Sequence, residues 1–154
     1  MNRVDLARLA RLSQAARTNA RLRMNDNLHA QADPIHRLLN ATEPGTYVQP
    51  HRHLDPPKLE TLAVIRGKGA VLVFGDRGEL LEHSILSCAG PDLVVELPAG
   101  AWHSLVALEP GTVWFEVKAG PYVPPPPTDI ASWAPAPGAP EASAYLQHML
   151  ALVR

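Results

Sequence analysis

The sequence predicts an all-β fold, a small antiparallel barrel with a helix at each end. Between residues 46 and 118, short runs rich in β-branched and apolar residues alternate with turns that contain Gly and Pro. Such spacing is typical of a β-sandwich or a small barrel. Residues 1–20 and 141–153 instead repeat apolar residues at the three- and four-residue intervals of helices. With 154 residues, the chain suffices for one domain with its own core.

The composition argues against a nucleic-acid-binding protein and against a membrane protein. Apolar residues make up 46% of the chain, charged residues 19%, and the net charge is −1. This globular balance gives no footprint for nucleic acid or for an anionic membrane. Arginines interrupt any N-terminal signal sequence, and no apolar run approaches the roughly 20 residues of a membrane helix. We therefore expect a soluble protein of the cytoplasm. Its one cysteine, Cys88, fits that reducing compartment and is expected to be a small buried residue.

The first segment, residues 1–30, is expected to form an N-terminal helical arm. Leu6, Leu9, Leu12 and Ala16 make an apolar stripe over a helix at 1–20. Residues 1–25 also hold six Arg against a single acidic residue, Asp5. These arginines are either the solvated face of a helix packed on the domain or an anion-binding arm, and we favour the first.

The second segment, residues 31–122, is expected to be the barrel. Asp33-Pro34 has the form of a helix start, but we favour a strand over residues 35–42 because strands follow it. The further predicted strands are residues 47–49, 59–66, 70–74, 80–86, 93–97, 102–108 and 113–118. Asp76-Arg77-Gly78 is a natural hairpin loop.

The third segment, residues 123–154, is a Pro-rich tail and a short C-terminal helix. Pro124–Pro127 forms an extended spacer that no sheet interior accommodates. Residues 128–140 are expected to wrap the surface. The helix predicted at 141–153 offers Tyr145, Leu146 and Met149 for packing on the barrel.

Four residues have the chemistry of a metal site. His51 and His53 are two residues apart, so in a strand they point to the same face about 6.6 Å apart. Glu60 begins an apolar strand, where a carboxylate is costly unless it is paired or metal-bound. His103 follows a Pro-Ala-Gly turn that aims the next strand inward. Three imidazoles and one carboxylate suit Fe, Mn, Ni, Co or Zn as a divalent ion, rather than Ca²⁺ or Mg²⁺.

Other side chains are candidates for the pocket or for bracing the ligands. Tyr47 and Gln49 share the parity of His51 and His53 and would face the interior of a regular strand. Trp102 adjoins His103 and is a candidate for the pocket wall. The basic candidates are Arg23, Arg52 and Arg66. The remaining histidines lack ligand spacing, and we expect no metal role for them; they are His29, His36, His83 and His148.

The spacing of these residues resembles the two motifs of the cupin superfamily. The first is Gly45-x5-His51-x-His53-x6-Glu60-x6-Gly67, and the second is Gly90-x7-Pro98-x-Gly100-x2-His103. Many cupins have three or four residues between the second His and the Glu, and a second motif shorter by two. Ala107 stands where many cupins have Asn. The resemblance implies a double-stranded β-helix, or jelly-roll barrel, with the His and Glu side chains as metal ligands.

A finer resemblance is to the WbuC-type cupin-fold metalloproteins of bacteria. The matching blocks are residues 20–25, 33–34, 37–41, 43–48, 50–53, 64–67, 98–103, 108–111 and 116–122. Some proteins of this type are encoded among genes for surface-polysaccharide synthesis, and cupins often form homodimers. The predicted function is a metalloenzyme acting on a small polar substrate, of the sugar or sugar-nucleotide type. The alternatives are a non-catalytic cupin that binds a small molecule, an Fe(II)-dependent dioxygenase, and a structural metalloprotein.

Overall fold

Two antiparallel β-sheets form the molecule in a computed structural model that describes all residues, 1–154. The helices are α1 (Leu6–Thr18), a 3₁₀ helix (Pro127–Asp129) and α2 (Ala142–Ala151). The strands are β1 (Arg23–Asn27), β2 (Ile35–Thr42), β3 (Glu60–Arg66), β4 (Lys68–Phe74), β5 (Leu80–Ser87), β6 (Val94–Leu97), β7 (Trp102–Ala107) and β8 (Thr112–Ala119). One sheet has the order β1-β2-β8-β3-β6, and the other β5-β4-β7. The predicted fold class, all-β with a helix at each end, is confirmed.

The barrel interior is built by strand alternation. Every second residue of a strand points to the same face, so Leu62 and Val64 of β3 face inward together with Trp114 of β8. From the facing sheet, Val71 of β4 and Leu105 of β7 pack against them. Trp114 is fully buried, and its indole Nε1 donates to Thr42 Oγ1 at 3.0 Å. This apolar cluster joins the two sheets without any contribution from a metal.

Helix α1 covers the outer face of the five-stranded sheet. It begins after Asp5, whose side chain accepts a hydrogen bond from the Arg8 backbone N–H. The predicted stripe, with Leu9 and Leu12, packs on Leu39 and its neighbours. The favoured interpretation of this segment, a helix packed on the domain with its charges outward, agrees with these contacts. No helix of the protein is long and apolar enough to cross a membrane.

The C-terminal tail covers the outer face of the three-stranded sheet. Leu72 and Phe74 of β4 and Val106 of β7 point outward and meet Leu146 and Met149 of α2. Strand β7 is therefore buried along both faces. As a result, residues on opposite faces of β7 have different neighbours, since one face meets the tail and the other the barrel interior.

Three local expectations from the sequence need correction. Residues 47–49 form no named strand, because the chain there makes only an isolated bridge at His51. Strand β1 was not predicted, although it pairs with β2 along its whole length. Cys88 is exposed in the turn after β5 rather than buried. The preference for a strand at residues 35–42 is confirmed, and Asp33-Pro34 starts no helix.

Candidate metal centre

The four predicted ligands converge at one end of the barrel interior. One ligand atom from each of His51, His53, Glu60 and His103 lies within 4.8 Å of those of the others. Glu60 Oε2 lies 3.1 Å from His53 Nε2 and 3.1 Å from His103 Nε2. Glu60 is 3% exposed and His103 4% exposed, whereas His51 and His53 are partly exposed, so the cluster is shielded from bulk water mainly at Glu60 and His103.

Two neighbouring segments position the His51–His53 segment. His51 exchanges backbone hydrogen bonds of 3.0 and 2.8 Å with His103 of β7. On its other side, the Arg52 N–H donates to Asp129 O and the Ala131 N–H donates to Pro50 O. The segment thus lies between β7 and the tail. The register with β7 brings the first and fourth ligands side by side, with ring centroids 4.4 Å apart.

Backbone carbonyls orient two of the imidazoles. His51 Nδ1 lies 3.1 Å from Gln49 O, and His103 Nδ1 lies 2.9 Å from Ala101 O. A carbonyl only accepts, so each Nδ1 carries the proton and donates it. The unprotonated Nε2 of His51 then has a lone pair free for an ion, as in metal-ligating histidines. The Nε2 of His103 lies 3.1 Å from Glu60 Oε2 and donates its proton there, and a metal ion would displace that proton. Burial, with the charge of His103 adding to it, lowers the pKa of His51 to about 3, so its ring is neutral near pH 7.

Lys118 of β8 balances the buried charge of Glu60. Its Nζ lies 3.3 Å from Glu60 Oε1 and 2.5 Å from Glu116 Oε1. Burial alone would raise the pKa of Glu60, but Lys118 and the two histidines hold that pKa well below its usual value. Burial and the Glu60 charge raise the pKa of Glu116 to about 8. Glu60 is therefore an ionised carboxylate, the form that binds a cation.

The donor set fits a divalent transition metal. Ligand atoms about 2.1 Å from an ion are about 3.0 Å apart when adjacent and about 4.2 Å when opposite. The separations of 3.1 Å from Glu60 Oε2 match adjacent positions. The widest separation of up to 4.8 Å needs only a small contraction of the cluster. The mixture of imidazole and carboxylate suits Fe, Mn, Ni, Co or Zn.

Of the other predicted pocket residues, Arg23 lines the chamber beside the cluster. The remainder lie elsewhere. Tyr47 and Gln49 face the tail, with the Tyr47 hydroxyl donating to Pro135 O and Gln49 Nε2 to Ala131 O and Ala134 O. The sequence argument assumed a regular strand, in which Tyr47 and Gln49 would face the same side as His51. The chain is not a regular strand here, because Val48 faces the core and His51, three residues later, faces the cluster.

Trp102 and Arg66 also lie outside the chamber. Trp102 precedes His103 in β7, so alternation turns its ring to the opposite face of the sheet, toward the tail. Its Nε1 donates to Asp76 Oδ1 at 3.0 Å, and the Arg52 guanidinium stacks 4.4 Å from its ring centroid. Arg66 ends β3, six residues from Glu60. At about 3.3 Å per residue, these two residues are about 20 Å apart.

The sequence analysis missed Asp129, a buried residue that supports the His51–His53 segment. Its side chain is 2% exposed and accepts from the Leu54 N–H at 2.9 Å, the Asp55 N–H at 3.2 Å and Arg52 Nε at 3.2 Å. Arg52 lies between His51 and His53 in the chain, and Leu54 and Asp55 follow directly after His53. No local signal in the Pro-rich tail marks this role. Glu116 and Lys118, by contrast, share the parity of Trp114, which could have identified them as inward-facing.

The family comparison gives a domain without a described function. Residues 4–86 match the family model "Domain of unknown function (DUF6016)", which spans more than half of the chain. The chain therefore belongs to the DUF6016 family. No curated protein sequence matches it.

Comparison with solved structures identifies the fold. KdgF from Halomonas sp. superposes with a TM-score of 0.53 at 20% identity, covering 69% of this chain and 85% of KdgF. The protein TT1209 from Thermus thermophilus gives 0.55 at 24% identity, covering 77% and 97%. CapF, crystallised with the inhibitor 3-isopropenyl-tropolone, gives 0.54 at 20% identity, covering 65% of this chain but 28% of CapF. These likenesses confirm the cupin jelly-roll fold.

Proposed function

We propose that this member of the DUF6016 family binds one divalent transition-metal ion through His51, His53, Glu60 and His103. One observation carries the proposal: four ligand atoms from distant parts of the chain lie within 4.8 Å of one another. The hydrogen bonds from both Nδ1 atoms to carbonyls support it, because they turn the Nε2 atoms of His51 and His103 toward the cluster.

We further propose that the protein is a metalloenzyme acting on a small polar molecule. A chamber of about 190 Å³, lined mostly by polar side chains, adjoins the cluster. A bound ion would supply Lewis-acid polarisation of a carbonyl or hydroxyl group, or an activated water. The chain itself would hold the substrate in the chamber, exclude bulk water around Glu60 and keep that carboxylate ionised through Lys118.

The main alternative is a non-catalytic cupin in which the ion only anchors a small molecule. A second alternative is an Fe(II)-dependent dioxygenase, which oxygen uptake dependent on added substrate would identify. On a six-coordinate ion, four protein ligands leave two positions vacant, whereas a four-coordinate Zn²⁺ would make a closed structural site. Tropolone, whose adjacent oxygens chelate metals, is a direct probe. An open site should bind tropolone only when the metal is loaded, and a closed site should not bind it.

Elemental analysis of purified protein tests the metal proposal. We expect about one transition-metal ion per chain in the wild type. His103→Ala should lose tight binding while the barrel stays folded, because the apolar cluster between the sheets is intact. His83→Ala and His148→Ala are matched controls, since both histidines are exposed and lie outside the cluster. Full metal content in His103→Ala, or none in the wild type, would contradict the proposal.

We also propose a family resemblance, a substrate class and an assembly for this protein. The WbuC resemblance is supported by the shared blocks around the ligands, and with it a role in surface-polysaccharide metabolism on a sugar or sugar-nucleotide type of substrate. A homodimer in the cytoplasm, without nucleic-acid or membrane partners, is also proposed. Light scattering of the metal-loaded protein tests the dimer, for which a mass near twice 16.7 kDa is expected.

A further inference from the structure

The chamber beside the metal centre has a basic side formed by the first strand of the barrel. Strand alternation places Arg23 and Asn25 of β1 on the inner face, and Asn25 pairs with Asn40 of β2 across the sheet. Arg21, just before β1, also lines the chamber. The chamber therefore connects the ligand cluster with two guanidinium groups and two side-chain amides.

Arg23 is a half-buried guanidinium without an anionic partner. It makes no ion pair and no side-chain hydrogen bond, whereas Arg8, Arg17 and Arg52 each pair with a carboxylate. Burial lowers the pKa of Arg23, the nearby charge of Arg21 lowers it further, and the charge of Glu116 offsets only part of this lowering. A partly desolvated cation is unfavourable unless an anion pairs with it. The nearby acidic group, Glu116, forms its ion pair with Lys118 and not with Arg23.

Asn40 presents a second unsatisfied group to the same chamber. Its side chain is buried, with 8% of the residue exposed, and its Oδ1 accepts no hydrogen bond. Buried polar atoms almost always have a partner. An acceptor that faces a chamber fits a ligand with a hydroxyl group to donate.

The charge balance of the chamber favours an anion. Lys118 is already paired with both carboxylates of the chamber, Glu60 and Glu116. Arg21 and Arg23 form no ion pair of their own, and a divalent ion would add further positive charge. The chamber volume of about 190 Å³ suits one small molecule.

We propose that the chamber binds a small hydroxylated organic anion, whose carboxylate or phosphate group pairs with Arg23 and Arg21 and whose hydroxyl donates to Asn40 Oδ1. This inference rests on the proposed metal function, because it assigns the substrate class of that site. Arg23 is the principal anchor, since a guanidinium binds a carboxylate or phosphate through two parallel hydrogen bonds. The rest of the molecule lies toward the metal ligands that line the same chamber.

Isothermal titration calorimetry on the full chain tests the proposal with three probes of similar size, namely glycerate, glycerol 3-phosphate and glycerol. We expect at least one anion to bind and glycerol not to bind. The tighter anion distinguishes a carboxylate ligand from a phosphate ligand. Arg23→Gln should weaken the binding at least tenfold, and Arg23→Lys should recover part of it. Arg11→Gln is the matched control, because Arg11 is exposed on α1 and should leave binding unchanged.

Metal content measured on the same samples separates this inference from the metal proposal. If the protein holds metal but neither anion binds better than glycerol, the anion inference is overturned and the metal proposal stands. Equal losses in Arg23→Gln and Arg11→Gln would also overturn it, since the effect would then be general charge. If the protein holds no metal, the metal proposal fails, and titration of the metal-free protein then tests the anion inference alone. Anion binding that is lost in Arg23→Gln supports the anion inference, and a lack of anion binding refutes it.

Discussion

Asp129 provides a quantitative test of how the tail holds the ligand segment. The isosteric change Asp129→Asn removes the negative charge and leaves one oxygen in place of two. In the wild type, three donors converge on the Asp129 carboxylate. The single amide oxygen of Asn can accept only some of these hydrogen bonds. Hydrogen bonds to charged groups contribute about 1.5–3 kcal/mol each, so we expect a loss of about 2–4 kcal/mol in the free energy of unfolding. For a domain of this size, that corresponds to a decrease of about 5–15 °C in Tm.

The same change should also weaken metal binding. Asp129 contacts no ligand atom of the cluster, but its side chain holds the backbone N–H groups of Leu54 and Asp55 after His53 and the side chain of Arg52 before it. Groups that support metal ligands in this way typically contribute about 10- to 100-fold in affinity. Urea denaturation of metal-free protein measures the first effect, and competition with a chelating dye measures the second.

Asp33→Asn is the control for these measurements. The Asp33 side chain is 41% exposed, forms a long ion pair of 3.6 Å with Arg37 and accepts one hydrogen bond from the Ala30 N–H at 3.1 Å, which an amide oxygen can also accept. Such surface pairs contribute about 0–1 kcal/mol, so this variant should match the wild type closely. Unchanged stability and unchanged metal affinity in Asp129→Asn would refute the inference that the tail supports the ligand segment.

Three further predictions concern the scaffold. Leu72→Ala should lower the free energy of unfolding by about 2–5 kcal/mol because Leu72 is fully buried, whereas Leu81→Ala, at a residue 64% exposed, should change it little; urea denaturation measures both. The hydrogen bond from Arg8 lowers the pKa of Asp26, so this carboxylate stabilises the fold above its unfolded pKa of about 3.9 and loses that effect as pH falls through the lower folded value. The stability difference between the wild type and Asp26→Asn should therefore be present at pH 7 and vanish in strong acid; an undiminished difference there would contradict the pairing. Removal of the metal with a chelator should lower Tm while circular dichroism still reports a folded sheet, since the core between the sheets contains no ligand; complete unfolding would show a structural site.

The repeating pattern of the barrel could be predicted because alternation and turn residues are local signals. The strand starting at Glu60 and the strand containing His103 were both expected, and each supplies its ligand from the inner face. The two His residues at 51 and 53 were identified by spacing and motif context. The four candidate ligands that the sequence indicated are the same four side chains that the structure brings together.

The features that could not be predicted depend on contacts between segments that are distant in the sequence. Strand β1 has the sequence RMNDN, whose Asn and Asp residues are poor strand formers, and it becomes a strand by pairing with β2. The outward turn of Trp102 follows from alternation once His103 is known to face inward. The role of Asp129 lies in its three donors, all at least 74 residues away in the chain. A single sequence contains no local signal of such a contact.

Anomalous X-ray diffraction from a crystal of the purified protein, recorded on both sides of the absorption edge of the metal found by elemental analysis, tests the metal centre most directly. We predict a single strong peak about 2.0–2.3 Å from the Nε2 atoms of the three histidines and from a carboxylate oxygen of Glu60. A crystal of metal-replete protein with no peak there, or with these four side chains turned away from a common point, would contradict the account.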